Sequence, residues 1–264
     1  MSGRFRAPFA LVTGGKGGVG KTTIAANLGV ELAREGRRVL AVDLDLGLAD
    51  LDVVLGVTPD ARIDDALEGR APIRRCVARG PSGLDVLPAA SGSESLASLG
   101  EERRERLLDL VAELSEDYDL VLGDSAAGVG TDVLAFAAAA DRVLVVTTPD
   151  LAAITDAYGL IKALDRYGSR AGIDLPTPEV LVNHASGIEE AQALGTKLRS
   201  ICERFLARSP RQAGWLPRSP AIERGGSLQT PFALRPRRAL ENVCIRQVAT
   251  RLERLVQSRL APLA

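Results

Sequence analysis

The stretch Gly15-Lys16-Gly17-Gly18-Val19-Gly20-Lys21-Thr22 fits the spacing G-x-x-x-x-G-K-[ST], and its chemistry is that of a phosphate cradle. Glycines allow backbone N–H groups to turn inward around phosphate oxygens, and a helix opening directly behind them adds its positive dipole end. Lys21 would then reach the β- and γ-phosphates of a nucleotide, while the Thr22 hydroxyl would ligate Mg²⁺. A chance glycine turn would lack the flanking context. Here an apolar, strand-like run at residues 9–12 precedes the loop, and residues 22–35 are helical behind it. Carboxylates follow at the ends of two later apolar runs, Val42-Asp43-Leu44-Asp45 and Leu120-Val121-Leu122-Gly123-Asp124. The second is Walker-B-like, and its Asp124 is expected to hold Mg²⁺ through water. Acids at strand ends can also be simple helix caps. Their order behind a phosphate loop favours the catalytic reading. Ser125-Ala126-Ala127-Gly128 reads as a switch whose Gly128 lets a backbone N–H approach the γ-phosphate.

Such residues need a scaffold that brings several strand ends together. Strand-like runs recur at residues 38–43, 84–87, 120–122, 143–147 and 180–182, with helix-length sequence between them. Leu107, Leu110, Val111 and Leu114 lie at helical spacing within residues 101–116, and Gly36 ends the helix over 22–35. Repeated strand–helix–strand predicts an α/β fold of three layers, a P-loop NTPase with a mostly parallel sheet and helices on both faces. Residues 209–237, rich in Pro, Gly and Ser, are expected to be loops around one short strand, 213–216. Residues 240–260 read as a final amphipathic helix. With no internal repeat or low-complexity linker, residues 1–264 are read as a single ATPase domain.

Composition removes other classes. A chain of 264 residues, 46% hydrophobic and 25% charged, can bury a sizeable core, so global disorder is excluded. Cys76, Cys202 and Cys244 form no CxxC pair, which argues against a disulfide framework, a zinc ribbon or a cysteine-held cluster. The single His184 excludes a multi-histidine metal site and is assigned no role. No apolar run reaches membrane-span length and the N-terminus lacks a secretory pattern, so a soluble cytoplasmic protein is expected. The net charge of −1 is uneven: from Arg199 onward 13 Arg face 4 Glu. Such a tail could meet phosphate, nucleic acid or anionic lipid. The simpler reading is that these arginines coat solvated helix faces and pair with acids of the body, which speaks against direct nucleic-acid binding.

A second lysine, Lys16, stands near the start of the loop. Lys16-Gly17-Gly18-Val19-Gly20-Lys21-Thr22-Thr23 resembles the deviant Walker A of the MinD/ParA ATPases. In that family the early lysine crosses to the phosphates of a partner subunit as two monomers clamp two ATP molecules. The resemblance implies ATP/ADP and Mg²⁺ as cofactors, slow hydrolysis and an ATP-dependent homodimer. It makes Lys16, Lys21 and Asp45 catalytic, with Asp45 orienting the attacking water, and places Asp43 with Thr22 and Asp124 in the magnesium shell. Gly15 through Thr23 bind the nucleotide. Asn183, after the run 180–182, occupies the base-contacting place with Pro217 on the opposite wall, and Asp150 matches a residue that reaches the partner's ribose. Asn183-His184-Ala185-Ser186 is not an N-K-x-D guanine reader, so ATP is expected over GTP.

Three further segments narrow the resemblance to the FlhG/FleN flagellar-number group. Asp45-Leu46-Gly47-Leu48-Ala49-Asp50-Leu51-Asp52-Val53-Val54-Leu55-Gly56 is similar to its D-L-G-L-A-N-x-D-V-L-L-G. Gly80-Pro81-Ser82-Gly83 through Leu87-Pro88-Ala89-Ala90-Ser91-Gly92 resembles its G-P-x-G and P-A-S segment, and Ala153-Ile154-Thr155-Asp156-Ala157-Tyr158 its S-I-T-D-A-Y helix. Asp50 stands where these proteins usually carry Asn, and Leu216-Pro217-Arg218-Ser219 lacks their usual acid. Only Met1 to Pro8 precede the first strand, which leaves open the activation of the flagellar GTPase FlhF by the family's longer N-terminal segment.

The resemblance implies a dimerisation switch controlling flagellar number or placement, with flagellar assembly proteins or a flagellar transcription activator as partners. The alternative is a MinD/ParA-like regulator of cell division or of chromosome or plasmid partition. An iron–sulfur carrier would need bridging cysteines, and a tyrosine-kinase relative a terminal tyrosine cluster; neither is present. Membrane contact rests on the final helix. Leu240, Cys244, Val248, Leu252, Leu255, Val256 and Leu260 share one face, with Arg246, Arg254 and Arg259 off it. That stripe is either an interfacial surface on anionic lipid, at the inner face of the cell membrane, or a core face packed on the sheet; the core reading is preferred.

Overall fold

The seven apolar runs become strands, joined by one more, in the computed structural model, which describes residues 4–90, 99–206 and 208–260. They are β1 (Phe9–Gly14), β2 (Val39–Leu44), β3 (Ala78–Arg79), β4 (Asp85–Leu87), β5 (Leu120–Ala127), β6 (Arg142–Thr147), β7 (Glu179–Ala185) and β8 (Arg211–Pro217). One sheet holds them in the order β3-β4-β2-β5-β1-β6-β7-β8. Only β3–β4 is antiparallel. The parallel run places the ends of β1, β2 and β5 at one edge, with Asp43 directly beside Asp124 in register.

Alternation along the strands splits the interior in two. Phe9, Leu11, Leu40, Val42, Val121 and Val143 point to one face. There they meet the helices α4 (Glu101–Leu114), α5 (Thr131–Ala139), α6 (Leu151–Ala171) and α7 (Ile188–Leu206). Ala10, Val12, Ala41, Leu122 and Leu144 point to the other, where α1 (Lys21–Arg34) and α9 (Leu240–Leu260) cover them. Both sides of these strands are buried, which is why they read as unbroken apolar runs. The three-layer α/β expectation holds.

Three short helices, α2 (Leu51–Leu55), α3 (Ile63–Leu67) and α8 (Pro220–Ser227), complete the set. The last corrects the expectation of loops around a single strand in 209–237. Pro220 opens α8 at a position where its missing N–H costs nothing, and buried Ile222 anchors the helix to the core. The two-residue β3 also had no periodic signal to announce it. Ser91 and Gly92, and the side chains of Arg259 and Leu260, lie outside the described residues.

The final helix spans the expected residues, and its stripe is a core face. Cys244, Val248, Leu252 and Val256 are buried in the layer shared with α1 and β8, whereas Leu240 is exposed and Leu255 half-buried. The apolar face is therefore occupied by the protein itself and does not form a lipid-facing surface. The basic tail pairs as expected: Arg208 with Asp165, Arg237 with Glu35, Arg246 with the fully buried Glu31, and Arg251 with Glu179. No helix among the described residues is long and apolar enough to cross a membrane.

Truncating Leu252→Ala should cost about 2–4 kcal/mol, the range for opening a cavity beneath a buried leucine. Urea unfolding measures it. An unchanged midpoint would mean that α9 does not belong to the core.

Candidate nucleotide site

Backbone geometry in the loop between β1 and α1 explains its glycines. Gly18 and Gly20 have φ of 77° and 93°, where side chains are disfavoured. A Cβ on Gly15 would lie 2.1 Å from the carbonyl oxygen of Asp156 in α6, and one on Gly20 2.4 Å from Nδ2 of Asn183 on β7. The loop is thus held between two elements far away in sequence. Its Gly20 end caps α1 with no side chain and no acid in the first turn, leaving those amides for an anion.

The two loop lysines have different surroundings. Lys21 is 8% exposed at the start of α1. Lys16 is 42% exposed and reaches Asp150 Oδ1 at 3.1 Å. Asp150 caps α6, accepting the Ala153 amide at 2.8 Å, and also accepts the Thr148 hydroxyl. Together the Thr148 hydroxyl, the Ala153 amide and Lys16 hold its carboxyl down to about 2.

The acids lie on the other wall. Asp43 Oδ1 accepts the Asp45 amide at 3.1 Å, and its Oδ2 accepts the amides of Asp50 at 3.1 Å and Leu51 at 3.0 Å. Burial nevertheless outweighs these bonds and pushes its carboxyl up to about 7. Asp124 is fully buried and neither of its oxygens has a hydrogen bond. Burial first, then Asp43, raises it well above the carboxylate range, while the nearby Thr22 hydroxyl and Lys21 pull it back. Buried, unpartnered carboxylate oxygen beside a threonine hydroxyl fits a hard divalent cation. Among the described residues no group of three or more His, Cys, Asp or Glu could hold a metal by itself. The remaining ligands would be phosphate and water.

A cavity of about 580 Å³ joins these walls, lined by Gly17, Gly18, the run Gly20 to Thr23, Asp45, Leu48, Asp50, Ala126 and Ala127. The structure therefore brings Lys21, Thr22, Thr23 and Asp45 into one space, with Asp43 and Asp124 behind. Asp45 Oδ1 accepts the Leu48 amide at 3.2 Å, so its carboxylate sits within its own turn. A second cavity of about 290 Å³ lies at the ends of β6 to β8, lined by Thr148, Pro149, Asp150, His184, Ser186, Glu190 and Arg218. Pro217, expected on a wall there, is buried just behind Arg218.

Asn183, expected at the base, is engaged with the loop. It is 2% exposed, donating Nδ2–H to the Val19 carbonyl at 2.8 Å and accepting the His184 amide at 2.9 Å. It braces the loop. His184 and Arg218 line the second cavity, and sequence reasoning gave neither a role. His184 takes φ 58° where the β7–β8 register shifts, a strained position that no local pattern announces. Burial and then Arg218 lower its pKa, against a smaller opposing pull from Glu223.

The family model described as "AAA domain" matches residues 10–175. The chain is 39% identical to the antiactivator FleN of Pseudomonas aeruginosa over 213 residues, 81% of this chain and 74% of that one. It is 43% identical to the flagellum site-determining protein YlxH of Helicobacter pylori over 155 residues, 58% of this chain and 52% of that one. Among solved structures, the cell division ATPase MinD of Pyrococcus furiosus superposes with a TM-score of 0.76. It is 25% identical and aligns over 94% of this chain and 99% of its own.

Replacing Asp124 by Asn removes the cost of burying an unpartnered carboxylate, or of protonating it, while keeping its shape. The nucleotide-free protein should gain about 1–3 kcal/mol in stability. The extra stabilisation from magnesium with nucleotide should disappear. Thermal melts with and without both ligands check this; an Asp124→Asn protein that is less stable alone, or still gains from magnesium, contradicts the assignment.

Proposed function

The chain belongs to the MinD/ParA family of deviant Walker A ATPases, and on that premise we propose that it is an ATP-driven dimerisation switch controlling flagellar number or placement. The observation that carries the flagellar reading is the 39% identity to the antiactivator FleN along most of both chains, beside 43% identity to a flagellum site-determining protein. A flagellar transcription activator is accordingly the partner we favour, in the cytoplasm. The likeness to MinD in fold supports a second reading, a regulator of division or partition.

The mechanism follows from the two lysines and the acids. Amides of the loop and of the α1 N-terminus hold the phosphates, and the buried Lys21 neutralises them from within the same chain. Thr22, with Asp43 and Asp124 behind it, would hold Mg²⁺, which when bound offsets charge between the β- and γ-phosphates. Asp45, on the cavity wall, orients a water by accepting its hydrogen bond once it leaves the Leu48 amide. Lys16 is exposed and parked on Asp150, outside the phosphate cavity. It exchanges that carboxylate for the γ-phosphate of a second copy, so each site is complete only across the dimer.

Asp45→Ala should bind ATP, hydrolyse at least tenfold more slowly and accumulate as a dimer, because only the water's position is lost. Lys16→Ala should bind ATP near normally yet stay monomeric. Size-exclusion chromatography with ATP separates these outcomes; a monomeric Asp45→Ala protein contradicts the switch. In cells of the source organism, both substitutions should change the number or position of flagella. Normal flagella with misplaced septa would favour the second reading.

A further inference from the structure

The phosphate cavity carries one carboxylate that the proposed mechanism does not use. Asp50 lines the same space as Lys21 and Thr22. It occupies the N-cap position of α2, yet its carboxylate makes no cap hydrogen bond to that helix. Its electrostatic partners are the Thr22 hydroxyl and Lys21 at the start of α1, with Asp45 and Asp52 in its own segment. The backbone fixes it there, since its own N–H is held by Asp43 Oδ2 at 3.1 Å.

Charge around the cavity is out of balance. Asp45 and Asp50 line it, while the carboxyls of Asp43 and Asp124 behind them are pushed toward the neutral form by burial. Against Asp45 and Asp50 stands the buried cation Lys21, because Lys16 is committed to Asp150. A bare triphosphate entering this space meets fixed negative charge that Lys21 cannot offset alone. A divalent cation arriving with the phosphates reverses the sign of that interaction at each carboxylate.

We propose that Asp50 makes nucleotide entry conditional on a divalent cation: it repels metal-free triphosphate and favours the metal–nucleotide complex, acting as a specificity residue beside the magnesium shell. Asp50 needs no contact with the reacting atoms for this role. Placed on the cavity wall and reachable by solvent, it acts on the incoming ligand, whereas Asp43 is engaged with three backbone amides.

The inference rests on the site binding Mg-ATP, and the test keeps the two apart. Calorimetric titration of the full chain with ATP is run in excess Mg²⁺ and in EDTA, for the parent protein, Asp50→Asn, Asp50→Ser and Asp60→Asn as a control carboxylate outside the cavity. Asp50→Asn and Asp50→Ser should bind metal-free ATP about tenfold more tightly than the parent. Their Mg-ATP affinity should stay within a few-fold, so that the ratio between the two conditions shrinks. The Mg²⁺ concentration giving half-maximal ATP binding should rise, and Asp60→Asn should match the parent. Equal ratios for the parent and both Asp50 variants overturn the inference while leaving the site intact. No binding of Mg-ATP by the parent would remove the site reading itself.

Discussion

Asp43 and Asp124 are buried side by side at the ends of neighbouring strands, and the rest of the site depends on that juxtaposition. Each carboxyl is pushed upward by burial; Asp43 further raises Asp124, and Asp50 and Asp45 further raise Asp43. Asp43 keeps three backbone amides satisfied at the start and end of the 45–51 turn, so the charge it carries bears directly on the shape of that turn. Asp124 keeps nothing satisfied. A cation held there with phosphate would change the electrostatics of both acids at once, and the turn containing Asp45 and Leu48 is tied to Asp43 by those amides. Ligand chemistry and surface shape are thereby linked over a few ångströms.

The sheet and its helices supply the rigidity this link requires. The loop is pressed between the Asp156 carbonyl of α6 and the Asn183 side chain of β7, so its amides are aimed by packing rather than by the loop alone. On the far face α1 is tied to the C-terminal region. Asn27 Oδ1 accepts the Ala233 amide, and buried Glu31 faces Arg34, Arg237 and Arg246. A buried glutamate among three arginines is costly to break from either side, and it fixes where α9 lies. The same constraint gives the basic tail its structural role.

Much of this was legible in the sequence because buried parallel strands and a phosphate loop both leave strong local marks. Phe9–Gly14, Val39–Leu44 and Arg142–Thr147 are apolar on both faces, and Lys21, Thr22, Asp43 and Asp124 stand at the strand and helix ends where they were expected. The misses have a common physical origin in long-range contact. The bond from Asn183 to Val19, 164 positions away, is one that no periodicity encodes. His184 and Arg218 meet only because β7 and β8 shift register. Pro220–Ser227 reads as loop by composition, and becomes helix through the burial of Ile222. The stripe on α9 was ambiguous for a related reason: an amphipathic face looks alike whether lipid or sheet covers it.

The central claim is that one chain holds an incomplete hydrolytic site, with Lys16 available only to a second copy. Phosphate release per protomer, measured across protein concentration at saturating Mg-ATP, tests this most directly. The account predicts specific activity that rises with concentration and then levels off as dimers fill. A constant value per protomer down to the most dilute samples would show that a single chain completes the site, and would contradict it.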